Sequence, residues 1–280
     1  MRRWNWRLVA AGIALVAVTA LYLLLLERFR VAEQPREQSF GDAAPMGEVL
    51  IRPTAVDALN RTMQVGVYLS PRLSGDPKAP SAAERDLVLV VAHDRIATDV
   101  KLAAGGRLAV ATFETELEGG SVADYPLDAY RARIGVGLVD AASSSPLPVR
   151  VTVWEGLLGF DVHARDETRD GQGVGLTIAV VRSGAVAMFA VSAYGAMVVL
   201  AACALSVAFL TFGTVRRAEA SLIGALAAMT FALPTFRNAL PGAPPLGVQA
   251  DLWIFLWAEL AVVLALALLV FRWSRSGPPP

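Results

Sequence analysis

Alternation of apolar and polar residues with period two fills the middle of the chain, and unbroken apolar runs fill its two ends. Thr62-Met-Gln-Val-Gly-Val-Tyr-Leu69 puts Met63, Val65, Val67 and Leu69 on one face of an extended strand, because successive strand side chains point to opposite sides. Residues 131–138 do the same with Ala132, Ile134, Val136 and Leu138, and residues 148–154 with Val149, Val151 and Val153. Less regular alternation marks 48–52, 86–92, 107–114, 159–165 and 173–181. Turn-forming clusters separate these stretches: the proline-rich 71–80, Gly105-Gly106, Gly119-Gly120, Ser143 to Pro146 and Asp170-Gly171. No helical period of comparable quality appears between 47 and 181. About eight short strands with this punctuation predict an antiparallel β-sandwich, here over residues 47–182.

Four apolar runs predict helices that cross a membrane. The first, 8–26, follows a basic start containing Arg2, Arg3 and Arg7. It is long enough to span, and no small-residue cleavage site follows it, so it reads as an uncleaved signal anchor. Residues 27–46 mix charge with Pro35, Gly41 and Pro45 and read as a linker. The second run, 183–215, is longer than one crossing needs. The third, 221–236, is interrupted by Pro234, and its short length leaves a full crossing open. The fourth, 252–271, is of full length. The pieces 1–7, 216–220 (Arg216, Arg217) and 272–280 (Arg272, Arg275) carry more arginine than the opposite flanks, where Arg28, Arg30, Arg182 and Arg237 stand. The positive-inside rule therefore predicts both termini in the cytoplasm, with 27–182 and the loop 237–251 outside.

Composition agrees with that layout and removes several function classes. The chain has 280 residues, 55% hydrophobic and only 18% charged, with mean hydropathy +0.51. A soluble domain is nearer a quarter charged. Net charge is zero, which gives no basic surface for nucleic acid. The basic residues are nearly all arginine, with lysine only at Lys78 and Lys101, a bias that suggests a high-GC bacterial source. The single Cys203 lies inside an apolar run and cannot staple the β domain. His93 and His163 lack the spacing of a metal site, so no metal and no cofactor is expected.

Three stretches carry a family resemblance: Tyr125-Pro-Leu-Asp-Ala-Tyr130, Trp154-Glu-Gly-Leu-Leu-Gly-Phe160, and Arg237-Asn-Ala-Leu-Pro-Gly-Ala-Pro-Pro-Leu-Gly-Val248 followed by Asp251 and Phe255-Leu-Trp-Ala-Glu-Leu260. In that combination the chain resembles the family called domain of unknown function 4436. The resemblance implies a mostly bacterial membrane protein of this layout and supplies no catalytic residues. Tyr125-Pro-Leu-Asp128 is also similar to the aromatic-Pro-x-Asp loop of pentameric ligand-gated channels, whose sandwich sits above a membrane bundle. The chain departs from that pattern: a membrane segment precedes the sandwich, three follow it, no cysteine pair brackets the loop, and no agonist-site aromatic cluster is assignable.

The candidate residues each have a sharp and a plain reading. Glu259, in the fourth run, is an ion or proton site on the first, and a structural partner of Arg237 or Asn238 on the second. One acid without a second intramembrane charge makes a poor relay, which favours the structural reading. Asp128 with Tyr125 and Tyr130 is a ligand site, or a turn begun at Pro126 and closed by a tyrosine ring, the second being favoured. Trp154 and Glu155 are expected at the edge of the domain, near the lipid interface. His93 and His163 support acid–base chemistry only if the fold brings them together. Small residues four apart, such as Ala204/Ala208 and Ala261/Ala265, permit close helix packing.

The sequence thus predicts an extracytoplasmic antiparallel β-sandwich on a four-helix transmembrane bundle, in the plasma membrane. No nucleophile–base pair is legible, so the expected function is non-enzymatic: interaction or sensing in the envelope, with lipid and unknown envelope proteins as partners. The alternative is an oligomeric channel or transporter-like protein, which would form a homo-oligomer.

Overall fold

A computed structural model describes residues 36–71, 82–168, 173–213 and 219–275, together with a few isolated positions between 13 and 27. Most of the apolar run 8–26 and most of the segment read as a linker lie outside the described residues. The end of that segment does not remain linker. Glu37–Gly41 forms β1, pairing antiparallel with Val149–Trp154 (β9) from Glu37 opposite Trp154 to Gly41 opposite Arg150.

Among the described residues, twelve strands form two sheets. The first has the order β1-β9-β2-β3-β6, where β2 is Gly47–Asp57, β3 Thr62–Pro71 and β6 Ala109–Glu116. The second has the order β10-β11-β12-β7-β4-β5, with β8 (Pro146–Leu147) added against β7. Here β4 is Leu87–His93, β5 Ile96–Leu102, β7 Ala129–Asp140, β10 Gly156–Leu157, β11 Phe160–Thr168 and β12 Val174–Arg182. Pairing is antiparallel except between β2 and β9, which run parallel, a departure from the all-antiparallel expectation.

The period-two pattern translates directly into burial. Met63, Val65, Val67 and Leu69 are fully buried on β3, as are Ala132, Ile134, Val136 and Leu138 on β7 and Val149, Val151 and Val153 on β9. These side chains and those of β2, β4, β11 and β12 belong to one cluster drawn from both sheets. Each such valine or leucine contributes about 1.5–3 kcal/mol on burial.

Among the described residues, three helices follow: α1 Gly184–Gly213, α2 Ala220–Asn238 and α3 Leu256–Arg275. Each, counting the turn Asp251–Phe255 with α3, is long and apolar enough to cross a membrane. Pro234 lies inside α2 and removes one backbone donor, yet the helix continues for a further turn to Asn238. α1 buries a stripe of Ala190, Tyr194, Met197, Ala201, Ala204 and Ala208, and α3 buries Ala258, Val262, Ala265 and Leu269. Both stripes join one helical cluster, so Ala204/Ala208 lies in a packed helix interface as the small-residue spacing suggested.

The seam between strands and helices has almost no slack. β12 ends at Arg182 and α1 begins at Gly184, so Ser183 alone lies between them. Ser183 N–H donates to Gly159 O at 3.0 Å, tying the start of α1 to the β10–β11 turn.

Candidate functional site

Where strands meet helices, two buried arginine–aspartate pairs stand side by side. The first is built on the β domain. Ser121 caps a short 3-10 turn, Val122–Asp124, by accepting from Ala123 N–H, and a cis Tyr125–Pro126 bond follows. The chain then enters β7, and this loop delivers Asp128 to the base of the sheet. Arg182, the last residue of β12, donates from Nε to both Asp128 carboxylate oxygens at 3.1 Å. Tyr130 OH donates to Asp128 Oδ2 at 3.0 Å. The guanidinium also lies over the rings of Phe160 (4.5 Å) and Tyr125 (5.3 Å). Both charged side chains are almost wholly buried. Burial, then the bond to Asp128, raises the Tyr130 hydroxyl pKa well above its ordinary value.

The second pair belongs to the helices. Arg237, in the last turn of α2, donates from Nε to both oxygens of Asp251 at 3.1 Å and from Nη2 to Oδ2 at 2.6 Å. It also donates to Pro244 O (2.9 Å) and Pro245 O (2.6 Å), fastening the loop between α2 and α3. Tyr194 of α1 donates its hydroxyl to Asp251 Oδ1 at 3.0 Å, and Gly247 N–H donates to Oδ2. The turn Asp251–Phe255 has the wider π-helical spacing, with Leu256 N–H reaching Asp251 O. One carboxylate thus gathers α1, α2 and the start of α3.

Three contacts join the two pairs. Tyr125 leaves the β core and packs among the helical residues, and its hydroxyl donates to Pro241 O at 2.9 Å. Burial pushes that hydroxyl up to about 12, so it remains a proton donor across the physiological range. Gln249 Nε2 donates to Asp124 Oδ1 at 2.8 Å. Gly242 provides the third. Its φ is +75°, and a Cβ there would stand 2.6 Å from Arg182 Nη1. Gly242→Ala is therefore expected to destabilise the protein by at least the about 1–2 kcal/mol of a left-handed L-residue, read as a lower thermal midpoint in detergent. A midpoint equal to that of the unsubstituted chain would show that the approach is not needed. Beside this contact, an open cleft of about 490 Å³ runs between Asp57, Leu59, Phe160 and Arg182 on one side and Gly242 and Pro245 on the other.

Sequence reasoning reached part of this site. Asp128, Tyr125, Tyr130 and Arg237 all belong to it. Asp128 serves Arg182 and Tyr130 rather than capping a turn; of the two tyrosine rings, Tyr130 lies in the β cluster and Tyr125 in the helical one. Arg237 pairs with Asp251 and not with Glu259, because Asp251 faces it across the short α2–α3 loop. Exposed Asn238 only ends α2. Glu259 sits about two turns beyond Asp251, in the first turn of α3, with Oε2 buried and no hydrogen-bond partner among the described residues. Trp154 lies elsewhere, its ring under Arg52 at 5.8 Å. Glu155 is buried, 3.7 Å from His163 Nδ1. His93, in β4, stacks on Phe113 of β6, and β7 and β12 lie between β4 and the strand of His163, so the two histidines share no site. Among the described residues, no three histidine, cysteine or acidic side chains converge as metal ligands would. Arg182, Tyr194 and Asp251 were missed as site residues. Their signal was charge or hydroxyl at the edge of, or inside, an apolar run.

A two-sheet β domain meeting, among the described residues, three apolar helices at a junction with a buried ion pair on each side defines the class. Residues 39–180, just over half of the chain, match Domain of unknown function (DUF4436), and residues 182–276 match Domain of unknown function (DUF8686). The chain belongs to the DUF4436 family. The boundary between the two matches falls at the strand–helix seam. No curated protein matches the chain.

Proposed function

We propose that this is a non-enzymatic, multi-pass protein of the bacterial plasma membrane. Its β domain, two sheets closing as a sandwich, stands outside the membrane and recognises or organises other envelope components. The observation that carries the reading is the junction: Tyr125 and Gln249 bond across it, Gly242 lies against Arg182, a strand runs directly into a helix, and a buried Arg–Asp pair stiffens each side. A tethered, freely swinging domain needs none of these. A domain fixed in this way passes a change in its own packing to α1, which is what a sensor requires.

The arrangement also supports the orientation. The start of α1, the end of α2 and the start of α3 lie together beside the β domain. The other ends therefore share the opposite side, where the sequence carries Arg216 and Arg217 and, on α3, Arg272 and Arg275.

The test is labelling of intact cells with a membrane-impermeant maleimide. Cys203→Ala removes the native thiol, and Ser144→Cys places a new one in the exposed turn after β7. Labelling before permeabilisation is expected. Labelling only after permeabilisation reverses the topology and removes the envelope role. Affinity capture from native membranes with the same tagged chain is expected to retain envelope proteins, and loss of that retention on deleting the β domain would locate the recognition there.

A further inference from the structure

Exposed leucines scattered singly over a surface need no explanation. Three in this chain differ, because each occupies a loop tip, where glycine, proline and small polar residues are usual, and each tip is pinned to a helix end. Leu158, 96% exposed, is the tip of the β10–β11 turn. The neighbouring Gly159 accepts the Ser183 N–H bond, and a Cβ on it would lie 3.8 Å from Val186 in the first turn of α1. Leu127, 76% exposed, stands between Pro126 and the buried Asp128, in the loop whose Tyr125 donates to Pro241 O. Leu246, 78% exposed, follows Pro245, which accepts from Arg237 at the end of α2, and precedes Gly247, which donates to Asp251 at the start of α3.

All three tips therefore adjoin the outer ends of the helices. The same ends carry Trp253 and Trp257, both strongly exposed and one turn apart at the start of α3. Tryptophan is enriched where a membrane meets water, its ring half in each phase. The buried polar side chains beside the tips, Asp128, Arg182, Arg237 and Asp251, are turned inward and neutralise one another in pairs, while Asp124 and Asp57 at the same end of the β domain are exposed, as groups at headgroup level would be.

Resting on the membrane-spanning reading above, we infer that Leu158, Leu127 and Leu246 form an apolar foot with which the β domain enters the outer leaflet at the boundary of headgroups and acyl chains. The occupant is lipid. The tips lie on three separate loops and extend the apolar surface of the helices past their ends. In this arrangement the bilayer is a contact surface of the β domain as well as the solvent of the helices. Changes in leaflet packing would reach the domain through the loops that hold Asp128 and the β10–β11 turn.

The experiment uses the full chain, reconstituted in vesicles of phosphatidylcholine and phosphatidylglycerol. A nitroxide is attached at Leu158→Cys, Leu127→Cys or Leu246→Cys, each with Cys203→Ala, and its collisions with oxygen and with a water-soluble nickel chelate are compared. Leu108→Cys, an exposed leucine at the far end of the β domain beside Ala109, gives the aqueous reference. Phe209→Cys, exposed in the second half of α1, gives the lipid reference. The oxygen-to-nickel collision ratio at all three tips is expected to exceed that at 108 several-fold and to approach that at 209. A nickel-dominated label at any one tip, or one shielded from both reagents as a covering second copy would make it, overturns the inference. A nickel-dominated label at 209 would instead overturn the membrane-spanning reading itself.

Discussion

Asp128→Ala is expected to destabilise the protein by about 3–5 kcal/mol, the usual consequence of leaving one member of a buried ion pair without its partner. The substitution removes the acceptor of both Arg182 Nε bonds and of the Tyr130 hydroxyl bond, in a place where neither group reaches water. The Phe160 and Tyr125 rings flanking the guanidinium attract a cation but accept no strong hydrogen bond, so they do not replace the carboxylate. The measurement is reversible unfolding in mild detergent, followed by tryptophan fluorescence. The double variant Asp128→Leu with Arg182→Met is expected to recover most of the loss, since an apolar pair of similar volume carries no desolvated charge. If Asp128→Ala unfolds like the unsubstituted protein, the pair does not hold the junction.

The larger effect is expected at Arg237. Arg237→Met strips Asp251 of its cation and leaves the Pro244 and Pro245 carbonyls without their donor. A broken buried pair costs about 3–5 kcal/mol, and each stranded carbonyl about 1–3 kcal/mol more. These terms share neighbours and do not simply add, yet together they approach the whole stability of an ordinary domain. The expected result is a chain that no longer accumulates in membranes. Arg237→Lys keeps the charge but cannot serve two carboxylate oxygens and two carbonyls at once, because its ammonium is a point donor rather than a fork. It is expected to yield folded protein with fast amide hydrogen exchange across 239–250. Protection there equal to that of the unsubstituted chain would mean that charge alone suffices and that the fork has no role.

The strands were legible because burial on one face writes a period of two into the chain, as Met63, Val65, Val67 and Leu69 show. Where that face is lost, so is the signal. β5 buries only Val100 and Leu102 of its seven residues, and its turn uses Asp94 and Arg95 in left-handed conformations without glycine or proline. β1 is an edge strand of mostly polar residues and reads as linker. β8 and β10 are two residues each, too short for any periodicity. The helices were legible from hydropathy, although the π-helical turn at Asp251–Phe255 leaves no trace in composition.

The site was half legible for a different reason. Asp128 and Tyr125 stand out locally, but the partner of Asp128 lies 54 residues away at the end of a strand. An arginine there reads as a topology signal. Tyr194, inside an apolar run, counts as one more lipid-tolerant aromatic until the fold sets its hydroxyl 3.0 Å from Asp251. Long-range pairing is decided by sheet order and helix rotation, which a single sequence does not display.

Ser183, the lone residue between β12 and α1, acts as a phase setting. An α-helix advances about 100° per residue, whereas a strand simply alternates its two faces. The length of this connection therefore decides which longitude of α1 faces its neighbours. One residue more or fewer would swing the Ala190–Tyr194–Met197–Ala201 stripe about a quarter of the way round the axis, carrying the Tyr194 hydroxyl away from Asp251. The seam is thus a place where chain length, more than side-chain chemistry, specifies the bundle.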